Sequence, residues 1–139
     1  MQLKGKTITF IGLNYAPEDT AIGLYSTQMV EALTNAGAHV NVVTAMPYYP
    51  QWKIQAPYDI ASNYMVENND QITVYRYKQY VPKAPTFLKR VIHILSFTYG
   101  SWSNLKKIKK ADLIISIIPF TTSAYLENGR ARKHQAPHW

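Results

Sequence analysis

The residues between the first predicted strand and the first predicted helix have the make-up of an anion-binding loop. This loop, GLNYAPEDTAIG, spans residues 12–23 and follows the apolar run TITFI. The first backbone N–H groups of a helix lack partners within it and carry about half a positive charge, so they favour phosphate. Gly23 in the first turn would let a phosphate approach the backbone. The sequence contains neither G-x-G-x-x-G nor G-x-x-x-x-G-K-[ST], so a plain capped turn is the alternative.

The acidic and histidine side chains form no recognisable catalytic or metal-binding pattern. The four histidines lack a spacing such as H-E-x-x-H, so no metal site is predicted. His39 at a strand start is expected to be structural and His93 to be packed or on the surface. Glu18, Asp19 and Asp112 are interpreted as caps or surface groups. No general base can be named, and the catalytic residues stay unknown.

A proline-flanked aromatic stretch, PYYPQW, follows the second predicted strand. Its rings belong to Tyr48, Tyr49 and Trp52. Tyrosine and tryptophan combine a large apolar area with a polar tip, which suits stacking on a sugar or a lipid-linked acceptor. The alternative is that the three rings cover the open end of a sheet, and the sequence favours neither.

A long predicted helix is basic at both ends. The basic residues are Lys83, Lys89 and Arg90 near its start and Lys106, Lys107, Lys109 and Lys110 near its end. Aromatic residues lie between them, and this composition is typical of a helix that rests on an anionic bilayer. Lys89, Arg90, Lys106 and Lys107 are therefore candidate membrane-facing residues. The alternative is an amphipathic core helix with a solvated rim, whose final lysines suit the helix dipole.

Alternating strands and helices must position all of these residues. Strands are predicted at 6–12, 39–45, 71–80 and 111–119, with helices after the first, the third and, at 120–134, the fourth. Residues 46–70 show no periodicity. The pattern predicts an α/β fold, a doubly wound parallel sheet of about four to five strands with helices on both faces.

The expected strand order is three, two, one, four, because strand–helix–strand units form right-handed parallel crossovers. Ligands in such sheets bind beyond the carboxyl ends of the strands, near the point where the order reverses. The long helix is expected to begin at Pro85. Its predicted buried stripe consists of Leu88, Val91, Leu95, Trp102 and Leu105.

Length and charge narrow the class of protein. The chain has 139 residues, no cysteine and a formal charge of +7. A single domain is predicted, disulfide and thiolate sites are excluded, and the basic surplus favours phosphates, nucleic acid or acidic lipids. The uncharged, mostly apolar run 113–126 contains Pro119 and is shorter than the roughly 18 residues of a membrane span. No signal peptide is recognised, so a soluble or peripheral cytoplasmic protein is expected.

A longer stretch carries a family resemblance. The segment NYAPEDTAIGLYSTQMVEALTNAGAHVNVVTAMPYYPQW resembles the N-terminal segment of the family-four glycosyltransferases, which have the GT-B fold. The positions that match the family pattern are Tyr15, Pro17, Gly23, Leu33, Gly37, Val40 and Thr44. The continuation MPYYPQW resembles the subgroup that builds bacterial exopolysaccharides of the colanic-acid type.

The resemblance implies the acceptor-binding, Rossmann-like domain of a retaining glycosyltransferase of the hexosyltransferase type. It implies no cofactor, only a nucleotide sugar as donor substrate and a lipid-linked or glycan acceptor. The residues implied to face the donor diphosphate are Gly12, Asn14, Asp19 and Gly23, and those on the acceptor side are Tyr48, Tyr49 and Trp52. The acceptor implies a cytoplasmic protein, peripheral on the inner face of the cytoplasmic membrane.

Two departures from the family pattern qualify this expectation. No glutamate pair has the Glu-x7-Glu spacing of the sugar-binding domain, and SIIPFTTS lacks the histidine that many members carry. Residues 1–139 are therefore expected to be one incomplete domain, inactive by itself, with the donor domain absent. An exposed sheet edge predicts pairing with a second copy. Without a nucleic-acid motif no nucleic-acid partner is expected, although a non-catalytic basic module that docks on anionic membranes or nucleic acid is the alternative.

Overall fold

The computed structural model describes residues 2–19, 21–84 and 86–117. Its elements are β1 (Thr7–Ile11), α1 (Ala21–Asn35), β2 (His39–Ala45), a short 3-10 helix (Tyr58–Ile60), β3 (Tyr64–Asn69), β4 (Ile72–Tyr77), α2 (Phe87–Leu105) and β5 (Leu113–Ser116). The helix predicted at 120–134 and the last residues of the fourth predicted strand lie outside the described residues.

The sheet has the predicted order and one additional strand. Its order is β3-β4-β2-β1-β5, and β4, β2, β1 and β5 run parallel. Every residue from Ile8 to Ile11 and from Val40 to Ala45 is buried, because these strands lie inside the sheet with both faces covered. β1 is therefore central, and the predicted reversal of strand order between β1 and β5 is confirmed.

The additional strand, β3, lies within the range predicted to be irregular. It pairs antiparallel with β4, with Asn69 opposite Ile72 and Tyr64 opposite Tyr77. Asp70 and Gln71 form the turn between them, and the Asn69 Oδ1 atom accepts a hydrogen bond from the Asp70 N–H at 2.9 Å. An edge strand that is half exposed needs no apolar alternation, so hydropathy does not reveal it. The predicted pairing of an exposed sheet edge with a second copy stays a prediction.

The two helices cover opposite faces of the sheet. Val30 of α1 packs with Ile8, Phe10, Val40 and Val42 in one core cluster. Leu105 of α2 packs on the other face, with Ile11, Val43 and Ile114 of the strands. Gly37 ends α1 in a left-handed conformation, φ +102°, as the sequence predicted. The structure confirms the α/β doubly wound arrangement.

The predicted orientation of α2 is wrong. Its buried residues are His93, Phe97, Gly100, Ser101, Asn104 and Leu105, so the inner face is mostly small or polar. Three residues of the predicted buried stripe are exposed, namely Leu88 (67%), Leu95 (58%) and Trp102 (45%). The reason is steric, since the ring of Tyr77 on β4 fills the space beside Gly100 and only a small residue permits that approach.

The remaining apolar residues of α2 face away from the sheet. They are Leu88, Ile92, Leu95, Tyr99 and Trp102, each exposed by more than a third. Their separations of three or four residues align them along one side of the helix, hereafter the outer face of α2. The helix begins at Phe87 after Thr86, whose hydroxyl accepts a hydrogen bond from the Lys89 N–H at 3.3 Å, two residues later than the predicted start.

Gly100→Ala is expected to destabilise the fold despite the better helix propensity of alanine. A Cβ atom at this position would lie 2.0 Å from the Tyr77 Cγ atom, so α2 or the ring must move. Such overpacking costs about 1–3 kcal/mol, more than the roughly 1 kcal/mol gained in propensity. Urea unfolding followed by circular dichroism measures the change. Ser103→Ala in the same helix is the control, and a Gly100→Ala variant as stable as that control would contradict the packing argument.

Candidate functional site at the carboxyl edge of the sheet

Three loops meet where the parallel strands end. They are residues 12–19 after β1, residues 46–57 after β2 and residues 78–84 after β4. The carboxyl ends of parallel strands lie at one edge, which is where open α/β sheets bind ligands. All the residues that the sequence predicted for the donor and acceptor sides lie in the first two loops or at the start of α1.

Glu18 connects the first loop to the second. One carboxylate oxygen accepts hydrogen bonds from the backbone N–H groups of Tyr48, at 2.8 Å, and Tyr49, at 3.2 Å. The other oxygen accepts a hydrogen bond from the Asn14 amide at 2.8 Å. Burial raises the pKa of Glu18, and the hydrogen bond from the Tyr48 N–H is the largest opposing effect. The interpretation of Glu18 as a cap or surface group is therefore wrong, whereas Asp19 is exposed.

The two glycines of the predicted diphosphate wall are buried. A Cβ atom on Gly23 would lie 2.8 Å from the Glu18 Cβ atom, so the glycine lets the loop fold back against the first turn of α1. A Cβ atom on Gly12 would lie 3.2 Å from the Phe10 ring. Gly12 and Asn14 lie in the loop after β1, and Gly23 lies in the first turn of α1 beside Glu18. Their contact with a diphosphate stays a prediction.

The aromatic stretch after β2 partly covers the end of the sheet and partly faces solvent, and its stacking on a sugar or a lipid-linked acceptor stays a prediction. Tyr48 is buried with Leu13, Ala45 and Phe97 and covers the end of the sheet. Tyr49 is 37% exposed and Trp52 is half-buried, so parts of both rings face solvent. The Tyr48 and Trp52 rings meet edge to face, with centroids 5.3 Å apart.

His93 of α2 completes this aromatic cluster. Its ring centroid lies 4.8 Å from that of Tyr48 and 5.4 Å from that of Trp52. The Nδ1 atom lies 2.5 Å from the Tyr80 carbonyl oxygen, so Nδ1 carries the proton and Nε2 is left as an acceptor. Nε2 has no hydrogen-bond partner among the described residues. Burial lowers the pKa of His93. Of the two positions expected from the sequence, packed or on the surface, the packed one is observed.

Arg76 is a second buried charge that sequence reasoning missed. It is 2% exposed, and its Nε atom donates to a Glu67 carboxylate oxygen at 2.5 Å. Its other nitrogens donate to the carbonyl oxygens of Ala45, at 3.1 Å, and Ala16. The guanidinium carbon lies 5.0 Å from the centre of the Tyr58 ring. The sequence signal for this buried ion pair is the arginine inside the strand ITVYRY, because charged residues in such strands are buried only when paired.

Two cavities border these loops. One, of about 420 Å³, lies beside Arg76 and Tyr58 and is walled by Tyr15, Pro17 and Asn68 among others. The other, of about 560 Å³, opens between the loops after β2 and β4. Its lining residues are Gln51, Trp52, Lys53, Ile54, Asp59, Lys78, Val81 and Lys83. We call the second one the lysine pocket.

The four candidate membrane-facing residues are all exposed and lie at the two ends of α2. The Arg90 guanidinium lies 5.6 Å from the centre of the Trp52 ring. The Lys107 ammonium lies 4.5 Å from the centre of the Tyr64 ring and donates to the Asn104 Oδ1 atom at 3.1 Å. Across the described residues, no helix is long and apolar enough to cross a bilayer, and no group of acidic and histidine side chains could hold a metal ion.

A match to a curated protein supports a glycosyltransferase fragment. The matching relative is "Putative colanic acid biosynthesis glycosyl transferase WcaI" of Escherichia coli (strain K12). It is 44% identical over 114 residues, which are 81% of this chain and 28% of the relative. The resemblance seen in the loops after β1 and β2 is thereby confirmed, although the chain spans less than a third of the relative's length.

The remaining comparisons give information on the fold but not on the function. No protein-family model matches the chain. The C-terminal domain of PF1911 hydrogenase from Pyrococcus furiosus superposes with a TM-score of 0.58 at 13% identity, covering 100% of this chain and 92% of that one. A likeness at this identity concerns the α/β fold and carries no statement about activity.

Glu18→Ala is expected to destabilise the protein far more than Asp19→Ala. The first substitution leaves the Tyr48 and Tyr49 N–H groups without their acceptor, and one buried donor left unpaired costs about 1–3 kcal/mol. The second removes an exposed carboxylate of the same charge, for which changes within about 0.5 kcal/mol are typical. The free energy of unfolding in urea measures both. Equal effects would show that Glu18 does not connect the two loops.

Proposed function

We propose that the chain forms the acceptor-binding N-terminal domain of a retaining, family-four glycosyltransferase of the GT-B type. The whole enzyme would transfer a hexosyl group from a nucleotide sugar to a lipid-linked or glycan acceptor in bacterial exopolysaccharide biosynthesis. The observation that carries this proposal is the 44% identity over 114 residues with the Escherichia coli relative. Because the match spans 28% of that relative, a further domain would supply donor binding, and the chain would be inactive alone.

The loop after β1 would face the leaving diphosphate. Transfer from a nucleoside diphosphate sugar concentrates negative charge on the leaving group, and preorganised N–H donors stabilise such charge most effectively. The wall would consist of Gly12, Asn14, Asp19 and Gly23. Glu18 supports the proposal by holding this loop in one conformation, since its carboxylate accepts hydrogen bonds from two backbone N–H groups of the next loop.

The acceptor would lie against the loop after β2. Tyr49 and Trp52 present ring surface to solvent at the carboxyl edge, and aromatic faces of this kind stack on sugar rings. Tyr48 would not contact the acceptor but would orient the Trp52 ring, because the two rings pack edge to face. No cofactor besides the donor substrate is needed for this chemistry, which rests on positioning and electrostatic stabilisation.

A segment exchange tests the proposed function. The 114 matched residues replace the aligned segment of the Escherichia coli relative, and the chimera is assayed for colanic acid production in a strain that lacks the relative. Production is expected from the chimera but from neither the present chain alone nor the relative with the segment deleted. A well-folded but inactive chimera would contradict the proposal.

Donor binding provides an independent check on the acceptor-side assignment. UDP- and GDP-sugars are titrated into the chain by calorimetry, and affinities weaker than about 1 mM are expected because a lone helix terminus offers few contacts. Micromolar binding of a nucleotide sugar would instead favour a self-sufficient nucleotide-binding domain.

The outer face of α2 supports a membrane location. Five large apolar side chains lie exposed along it, and the exposed basic residues Lys89, Arg90, Lys106 and Lys107 flank them at both ends. Apolar groups that enter the acyl boundary while lysine and arginine contact anionic headgroups define an interfacial helix. We therefore place the enzyme in the cytoplasm, peripheral on the inner face of the cytoplasmic membrane, where a lipid-linked acceptor would be available.

Vesicle sedimentation tests this surface. The chain is mixed with vesicles of phosphatidylethanolamine and phosphatidylglycerol, and Leu95→Ser is expected to reduce binding about tenfold, since burying a leucine contributes about 1.5–3 kcal/mol. Ile60→Ser is the matched control, because Ile60 is 86% exposed but lies on the 3-10 helix away from α2. Equal losses in the two variants would count against the outer face as the docking surface.

The vesicle result also separates the two classes of function. A non-catalytic basic module that docks on anionic membranes would bind vesicles in a salt-sensitive manner while the chimera stays inactive. A glycosyltransferase domain predicts activity in the chimera whether or not membrane binding is strong.

A further inference from the structure

The lysine pocket has the charge of an anion-binding site. Its lining contains Lys53, Lys78 and Lys83 against one carboxylate, that of Asp59. The two ion pairs found among the described residues are Arg76–Glu67 and Lys110–Asp112, so none of the three lysines is neutralised by one. A cavity of about 560 Å³ with a surplus of positive charge suits a compact anion such as a phosphate or diphosphate.

One of these ammonium groups is fixed in place. Lys78 Nζ donates hydrogen bonds to the backbone carbonyl oxygens of Asp59 and, at 3.2 Å, Ala61. These acceptors are neutral, so they hold the group without cancelling its charge, and one N–H remains for a ligand. A cation held at the wall of a cavity loses less conformational entropy on binding than a free lysine side chain does.

The pocket also has an apolar side. Trp52, Ile54 and Val81 line it together with the lysines. Trp52 contacts the Arg90 guanidinium at the first turn of α2, where Phe87 and Leu88 are 85% and 67% exposed. Positively charged and apolar side chains therefore line the same pocket.

We propose that the lysine pocket binds the phosphate or diphosphate group of a lipid-linked acceptor, with the start of the lipid chain against Trp52, Ile54 and Val81. The place of this ligand in a transfer reaction rests on the proposed function, but the binding itself does not. A nucleoside diphosphate shares the anionic group and lacks the apolar chain, so the apolar side of the pocket favours the lipid phosphate. The pocket lies after the carboxyl ends of β2 and β4, at the edge expected to hold ligands.

Calorimetry with three probes tests the proposal. Farnesyl diphosphate, below its micelle concentration, is expected to bind more tightly than inorganic pyrophosphate, and both more tightly than UDP. Lys53→Gln/Lys83→Gln is expected to weaken farnesyl diphosphate at least about tenfold, the loss typical of removing charge-assisted contacts. Lys4→Gln/Lys6→Gln removes the same charge from exposed residues before β1, at the opposite edge of the sheet, and is expected to change the affinity by less than about twofold.

Each contrary result overturns a defined part of the inference. Equal losses in the two double variants would indicate attraction by net charge alone. UDP as the tightest probe would assign the pocket to the nucleotide donor. Trp52→Leu supplies a further measurement, since it retains the charges and should weaken farnesyl diphosphate but not pyrophosphate. An inactive chimera with normal probe binding would contradict the proposed function and leave the pocket standing, whereas an active chimera without probe binding would do the reverse.

Discussion

The carboxylate of Glu18 is the constraint on which the candidate site depends. It lies buried between the loop after β1 and the loop after β2, where it accepts hydrogen bonds from two backbone N–H groups and one side-chain amide. An unpaired carboxylate in this position would be strongly unfavourable, and the raised pKa of Glu18 reflects the burial that these hydrogen bonds only partly offset. Because one group serves both loops, the conformation of the loop after β1 depends on that of the loop after β2.

Arg76 at the end of β4 and Lys78 just after it also join neighbouring segments through hydrogen bonds to backbone groups. Arg76 donates to the carbonyl oxygens of Ala45, at the end of β2, and Ala16, in the loop after β1. Lys78 donates to carbonyl oxygens of the segment that leads into β3. Loops at a sheet edge leave backbone carbonyls without ladder partners, and long cationic side chains satisfy them from the neighbouring strand. The carboxyl edge is therefore organised by three charged side chains together with the apolar cluster around Tyr48.

The sequence determines the sheet far better than it determines the site. Apolar, β-branched runs predicted β1, β2, β4 and β5 and their order, because buried parallel strands leave a strong pattern. The pattern does not reveal β3, because a half-exposed edge strand has only weak apolar alternation. The buried face of α2 is not predictable from helical spacing either, because it is set by the packing of Tyr77 against Gly100. Glu18 and Arg76 were assigned no role in the site, since nothing in a one-dimensional pattern shows which carbonyl or N–H group a charged side chain will reach. The sequence predicts the aromatic stretch, but only the structure shows that Tyr48 is buried whereas Tyr49 is exposed.

The reversed amphipathicity of α2 has an evolutionary consequence. The side chains of Leu88, Ile92, Leu95, Tyr99 and Trp102 are between 43% and 67% exposed, so folding places less demand on them than on the inner face. Drift toward polar side chains would leave the domain intact, and solubility would even favour it. Wherever descendants of this sequence retain large apolar residues at these five places, the selective pressure must come from whatever the helix touches outside its own domain. On the inner face, which contains a glycine, a serine and an asparagine, packing restricts the size of the side chains more than their hydrophobicity.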